Sequence, residues 1–483
     1  MGAVSVAQLP VDQGALAMSG HPLQRAGAWA VAVLAERASP AEVTGPDLAL
    51  VAARIAEDAS RAAVADKGTA AYDWWKVLFA LYPNSKATHS KRAKDRDALR
   101  DAILELFAPE PEGEGRPRPC TFCGVSARAV WSKSNLPLFD TNKMLNTLPP
   151  GVPGWPVCRG CRVAAWALPY GAWVTAGSAT VFSCESEVAE RRFAERNVLR
   201  ARRVMQLGFE RLGVDGRPEL VALRALRHAR VELSASTLWS FKNDNQEPWL
   251  RVTYTRRAVP RFLALVEGNA PLRRGWRLLE IALTRRDKQG AVVSGGAAEA
   301  ARLVFEVEDG RGRSFLWELH RLLTGSEHRW TPQHATCLAR LAMTYAKEVL
   351  GMDPDLKPVT QLLVDWIEHG GSGGPRGRWA EYQRVALNPY ELGRVLHRAQ
   401  SRLFLDGREI TADGEHWKRL IQRHPRAWEQ RLLLSVAVVQ ALQERKVRVN
   451  DKPADAEEAE QVAALEKQID EAAILADDSL GAM

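Results

Sequence analysis

Two cysteine pairs constrain this chain more than anything else in it: Cys120-Thr-Phe-Cys123 and Cys158-Arg-Gly-Cys161, with residues 124–157 between them. Cysteines spaced this way turn both sulfurs toward one point, and two such pairs supply the four thiolates of a closed tetrahedral zinc site. Gly124 and Gly160 suit the unusual backbone angles of such turns. Two disulfides or free buried thiols are the alternatives, and disulfides need an oxidising compartment that nothing else in the sequence indicates. We therefore expect Zn2+ on Cys120, Cys123, Cys158 and Cys161. Its role should be structural, because four thiolates leave no open position for water or substrate. Residues 124–157 also contain no histidine that could act as a base beside the ion. Such a site contributes about 10–16 kcal/mol of apparent free energy to local folding. That is enough to shape a segment containing Pro137, Pro149, Pro150, Pro153 and Pro156.

The distribution of charge says more than its total of +8. Residues 451–483 hold ten acidic residues and two lysines, so the preceding 450 residues keep 64 basic and 48 acidic, a surplus of 16. A solvated arginine-rich surface gives the same total. A basic body followed by an acidic tail points instead to a polyanionic partner, with nucleic acid the first choice. The longest apolar run, 26–35, is about half of what a bilayer needs and lacks the basic leader of a signal peptide. We expect a cytoplasmic protein without a membrane partner.

Along the chain the fold class reads as α+β and predominantly helical. A mixed N-terminal domain spans 1–330 with the zinc-finger segment 117–175 inside it. A C-terminal helical bundle spans 331–450, and an acidic tail spans 451–483. Ser19-Gly20-His21-Pro22-Leu23 opens a helix, with Pro at a first-turn position. Apolar periodicity places further helices over 46–64, 72–81 and 97–107. The acidic, Pro-rich stretch 109–119 reads as a linker. Residues 173–182 alternate as a strand, and 186–212 form a long helix laden with arginine. Short β-like runs at 250–255 and 303–308 mix with arginine pairs. The bundle reads as helices 334–351, 357–369, 376–386, 389–405 and 413–445, with Asn388 as an N-cap ahead of Pro389.

No catalytic constellation emerges. HExxH, G-x-S-x-G, a P-loop and a strand-linked GxGxxG are all absent. Asp365, Glu368 and His369 are the nearest approach to a nuclease metal cluster. Cys184 and Cys337 stand alone. The chain reads as a non-enzymatic binder. The turn-rich segment 82–94 offers Lys86, Lys91, Arg92 and Lys94 for phosphates, and Asn84, Ser85 and Thr88 for backbone or base edges. Lys133, Ser134 and Asn135 lie in the loop presented by the finger. Arg256 and Arg257 belong to a candidate phosphate groove, and Arg376 and Arg378 to the bundle's basic face. The 16 tryptophans can stack on bases, although core packing is their commoner fate.

The chain resembles the CXXC–CXXC large subunits of type I-B CRISPR Cascade complexes. The matching pieces are Ser19-Gly20-His21-Pro22, Pro83-Asn84-Ser85, Cys120-Thr-Phe-Cys123-Gly124, Cys158-Arg-Gly-Cys161 followed by Ala-Leu-Pro169-Tyr-Gly171, and Asn388-Pro389-Tyr390. The resemblance implies a non-catalytic subunit that recognises the PAM, aids duplex opening and stabilises the R-loop. Its implied partners are crRNA, double-stranded target DNA, the backbone and small subunits, and a recruited helicase-nuclease. It also implies a small subunit translated from an internal start, for which Met343 and Met352 are the candidates. The alternatives are a stand-alone zinc-containing DNA-binding regulator and a nuclease with a zinc finger.

Overall fold

The computed structural model describes residues 15–92, 94–110, 117–132, 135–136, 154–212, 217–242, 249–290, 292–307, 314–325, 330–370, 374–422, 424, 426–447, 449, 464 and 467. The fold is α+β and mostly helical, as expected, with small antiparallel sheets. The chain divides into two compact units, Met1–Thr255 and Arg256–Met483.

The first unit begins with α1 (Pro22–Leu34), α2 (Gly45–Val64), α3 (Ala70–Leu81) and α4 (Arg96–Leu106). Their starts are written locally. Thr44 and Asp47 form a capping box at α2, while Thr69 caps α3 and Asp95 caps α4. The short strands β1 (Arg118–Pro119), β2 (Ser126–Ala127), β3 (Val130–Trp131) and β4 (Trp155–Pro156) follow, and then α5 (Arg159–Gly171). Next come β5 (Trp173–Val174) and β6 (Ala179–Cys184), so the single strand expected over 173–182 is broken by a turn. Helices α6 (Glu187–Leu207) and α7 (Pro218–Ala229) precede β7 (Ser236–Lys242) and β8 (Trp249–Thr255). Within this unit β5, β6, β7 and β8 pair in sequence order, all antiparallel.

At the centre of the first unit lie α1 and α5. Residues Gly160–Gly171 of α5 are buried throughout, and so are nine of the thirteen residues of α1. A helix apolar on every side belongs in a core. The two backbones nearly touch: a Cβ on Gly27 would sit 1.9 Å from the carbonyl oxygen of Ala164, and one on Gly171 would sit 2.4 Å from that of Ala26. The buried Glu190 of α6 fastens this pair to the sheet. It accepts from Arg25 Nε at 2.7 Å, from Trp29 Nε1 at 2.9 Å and from the Cys184 amide at 3.0 Å. A buried carboxylate with that many donors is satisfied.

The second unit contains α8 (Val259–Gly268), α9 (Ala270–Leu283), the hairpin of β9 (Arg285–Arg286) with β10 (Val292–Ser294), α10 (Gly296–Val304), β11 (Glu306–Val307) and α11 (Phe315–Thr324). It continues with α12 (Pro332–Glu348), α13 (Lys357–His369), α14 (Gly374–Val385), α15 (Pro389–Leu405), α16 (Gly414–Ile421) and α17 (Ala427–Glu444). Three expectations change. The boundary falls at Thr255/Arg256 instead of residue 330, because α9 packs on α12 and α11 on α12 and α17. The single helix over 413–445 is two, with Pro425 in the sequence between them. Leu303 and Val304 end a helix where a strand was expected. Phe262, Trp276, Phe315 and Tyr345 form the aromatic core, with Phe315 and Tyr345 rings 4.5 Å apart. Asn388 caps α15 as anticipated, accepting from the Tyr390 and Glu391 amides. Met343 lies inside α12, so a product starting there would lose that helix's first turns. The acidic tail, apart from Ala464 and Lys467, lies outside the described residues, as do Lys133 and Ser134.

Candidate metal centre and its basic surround

The first cysteine pair sits in a tight knuckle. Cys120 donates its amide to the Val125 carbonyl at 2.7 Å, and the Gly124 amide donates to the Cys120 carbonyl at 2.9 Å. Gly124 has φ +77°, the left-handed region that glycine enters without strain. The β1–β2 hairpin flanks this turn, and β3 pairs with β4 to return the chain to the second cysteine pair. Cys158 is the N-cap of α5 and Cys161 lies in its first turn. The positive end of a helix dipole lowers the cost of thiolate charge there. A Cβ at Gly160 would sit 2.4 Å from the Ala15 carbonyl oxygen, so the turn between these ligands lies directly beneath the segment leading into α1.

The four sulfurs lie within 4.8 Å of one another, and the Cys123 and Cys158 sulfurs are 3.6 Å apart. All four cysteines are free, and that separation is far beyond the roughly 2.05 Å of a disulfide. Metal–sulfur bonds of about 2.3 Å in a tetrahedron place sulfurs about 3.8 Å apart. The donor set therefore fits one soft tetrahedral ion, and sulfur-only tetrahedral sites favour zinc or iron. Electrostatics point the same way. Without a cation the cluster shares its protons: hydrogen bonds from Cys123, Cys158 and Cys161 draw the Cys120 thiol's pKa down, while contacts with Cys120 and Cys123 push Cys158 and Cys161 up. Four thiolates this close repel one another, and a cation among them would offset that repulsion.

Polar contacts beyond the ligands hold the cluster in place, and sequence reasoning missed them. Gln24, buried in α1, donates to the Cys161 sulfur at 3.5 Å and to the Ala17 carbonyl at 2.8 Å. Glu110, expected in a linker, is a clasp: it accepts from the Arg128 and Ala129 amides and pairs with the buried Arg162 at 3.0 Å. Arg162 also donates to the carbonyls of Leu106 and Ala108, closing the end of α4. The available signals were a lone Gln on an apolar helix and a second arginine directly after Cys158-Arg-Gly-Cys161.

The segment 82–94 is docked on the same helix. Tyr82 stacks on Trp166 of α5 with centroids 4.4 Å apart, and its hydroxyl donates to the Ala165 carbonyl at 2.6 Å. Trp166 donates its indole N–H to the Asn135 carbonyl at 3.0 Å. Asn135 and the loop that follows Tyr82 are thus moored to one tryptophan. Within that loop Ser85, Thr88 and Arg92 are buried, unlike the solvent-facing contacts the sequence suggested. Thr88 bonds the Tyr82 carbonyl, while the Arg92 guanidinium lies 4.0 Å over the Trp75 ring and donates to the Ala63 carbonyl. Lys86, Lys91 and Lys94 are exposed, and among the described residues none has an ion pair. Asn84, Lys86, His89, Lys91 and Arg92 line a notch of about 420 Å³ against Ala98, Leu99 and Ala102 of α4.

The remaining predicted contacts belong to the second unit. Arg256 pairs with Glu306 at 2.7 Å. Arg378 is buried and donates to the Ile367 and Glu368 carbonyls, sealing the end of α13. Arg257 and Arg376 also have partners. Asp365 and Glu368 are bridged by Arg445 at 2.6 and 3.0 Å, so a cation already occupies the space between these two carboxylates. No helix among the described residues is long and apolar enough to cross a membrane. No protein-family model, curated protein or solved structure matches the chain.

Proposed function

We propose that this chain is a non-catalytic, zinc-clamped subunit that grips nucleic acid within a crRNA-guided complex, of the kind formed by the large subunits of type I-B Cascade. The observation that carries the reading is the mooring of two loops to the helix that holds two of the metal ligands. Trp166 fixes Asn135 on one side and Tyr82 on the other, and beyond Tyr82 stand Lys86, Lys91 and Lys94, with no ion pair among the described residues. A rigid basic edge beside a metal knuckle suits short-motif readout and backbone electrostatics, while base pairing with a guide reads the target. Zinc is the ion we assign to the four sulfurs, in a structural role.

Affinity purification of the tagged chain from its native cell tests this reading. Co-purification of repeat-derived guide RNA and backbone subunits is the expected result. A chain that purifies alone and binds a defined duplex without RNA is instead the stand-alone regulator, and turnover of nucleic acid by the pure protein would remove both readings.

A further inference from the structure

Helix α6 carries Arg191, Arg192, Arg196, Arg200, Arg202 and Arg203, and from Arg196 to Leu207 it has no acidic residue. Some of this charge is accounted for. Arg191 and Arg192 pair with Glu195 at 2.9 and 3.1 Å, and Arg200 lies 3.9 Å over the Trp173 ring. Arg196 differs. It is half-buried and has no ion pair among the described residues. Burial, together with its charged neighbours Arg192, Arg224 of α7 and Arg203, lowers its pKa. Arg203 is exposed and also lacks an ion pair among the described residues. Like charges this close oppose one another. The helix dipole does not explain them, since Arg196 stands well before the last turn, where that dipole favours cations.

We propose that Arg196 and Arg203, flanked by Arg192 and Arg224, form a track for a phosphodiester backbone, a nucleic-acid contact separate from the lysine loop. Positions 196 and 203, seven residues apart, fall on one face of a helix with 3.6 residues per turn and span about 10 Å of its axis. One strand passes about three phosphates in that length, at about 3.4 Å each, whereas one free phosphate cannot reach both guanidinium groups. Guanidinium groups bind phosphate through paired N–H donors. The choice of nucleic acid over other polyanions rests on the function proposed above.

The test measures binding of the purified full chain to a labelled mixed-sequence duplex across a salt series. Three proteins are compared: the native chain, R196Q/R203Q and K86Q/K91Q/K94Q. Losing two phosphate contacts lowers the slope of log affinity against log salt by about 1.8. The same double variant melts at a higher temperature than the native chain, because self-repulsion is relieved. Weaker binding with greater stability is a pairing that a purely structural role does not produce. If R196Q/R203Q keeps the native slope while the lysine variant loses affinity, the track is wrong and the proposed function stands. If the native chain binds no duplex, both are wrong. Polyglutamate binding as tightly as the duplex, or inorganic pyrophosphate protecting α6 equally well, also overturns the track by assigning the face to an acidic protein or a small anion.

Discussion

In the first unit the two most buried helices meet through glycines, a four-sulfur cluster and buried polar clasps, whereas the second unit closes over the rings of Phe262, Trp276, Phe315 and Tyr345. The second unit also uses arginine inside, but as a neutraliser of carbonyls: Arg378 seals α13, and Arg431 donates to the Leu420 carbonyl at the end of α16. The contrast separates a unit whose core offers a site for a cation from one closed by side chains alone. Burial of aromatic surface is available to any folded chain. Four clustered thiolates repel one another, and a cation among them would offset that repulsion.

The largest expected effect follows directly. Chelating the metal, or replacing Cys158 and Cys161 by Ser, removes a contribution of about 10 kcal/mol to folding of the first unit. Calorimetry and hydrogen exchange should show that unit opening while α8–α17 keep their protection. Simultaneous loss of both units would break the comparison.

A pH effect of known sign can be read in the second unit. His320 is buried against Trp317, its Nδ1 has no hydrogen-bond partner among the described residues, and burial lowers its pKa from 6.5 to about 4. Between those values the unfolded chain binds a proton that the native imidazole refuses, so stability falls as pH drops from 6.5 toward 4. The loss is about 3 kcal/mol. In H320L that slope disappears from the second unit's denaturation curve, measured as the difference from the native chain so that acid release of the metal cancels. An unchanged slope would mean the imidazole is not sheltered.

A smaller effect sharpens the role of internal arginine. R378A leaves the last carbonyls of α13 without their donors and should cost about 1–3 kcal/mol, read as a shifted urea midpoint of the second unit. Duplex affinity should stay at the native value. A loss of affinity without a loss of stability would return Arg378 to the binding surface.

The cysteine cluster was legible because its signal is local: spacing within each pair fixes the turn, and the turn aims the sulfurs. Helix starts were legible for the same reason, as Asn388 and Pro389 show. The loop after Tyr82 was only half legible. Its lysines could be placed at the surface by composition, but Arg92 is turned inward by Trp75 and Ala63, which lie far back in the chain. Arg378 was misread in the same way, since its acceptors end another helix. The unit boundary was hidden because helices α8 to α11 alternate with short extended runs whose packing partners lie beyond residue 330.

Where α1 crosses α5, the Gly27 Cα faces the Ala164 carbonyl with no room for even one added carbon. Such a seam cannot drift in small steps: a methyl on either strand of contact must be answered by a shift of the whole opposing helix. Because α5 begins at the sulfur cluster, that shift would misalign Cys158 and Cys161. Variation in the opening helix and fidelity of the ion cage are therefore yoked, and homologous chains should change at these sites together or not at all.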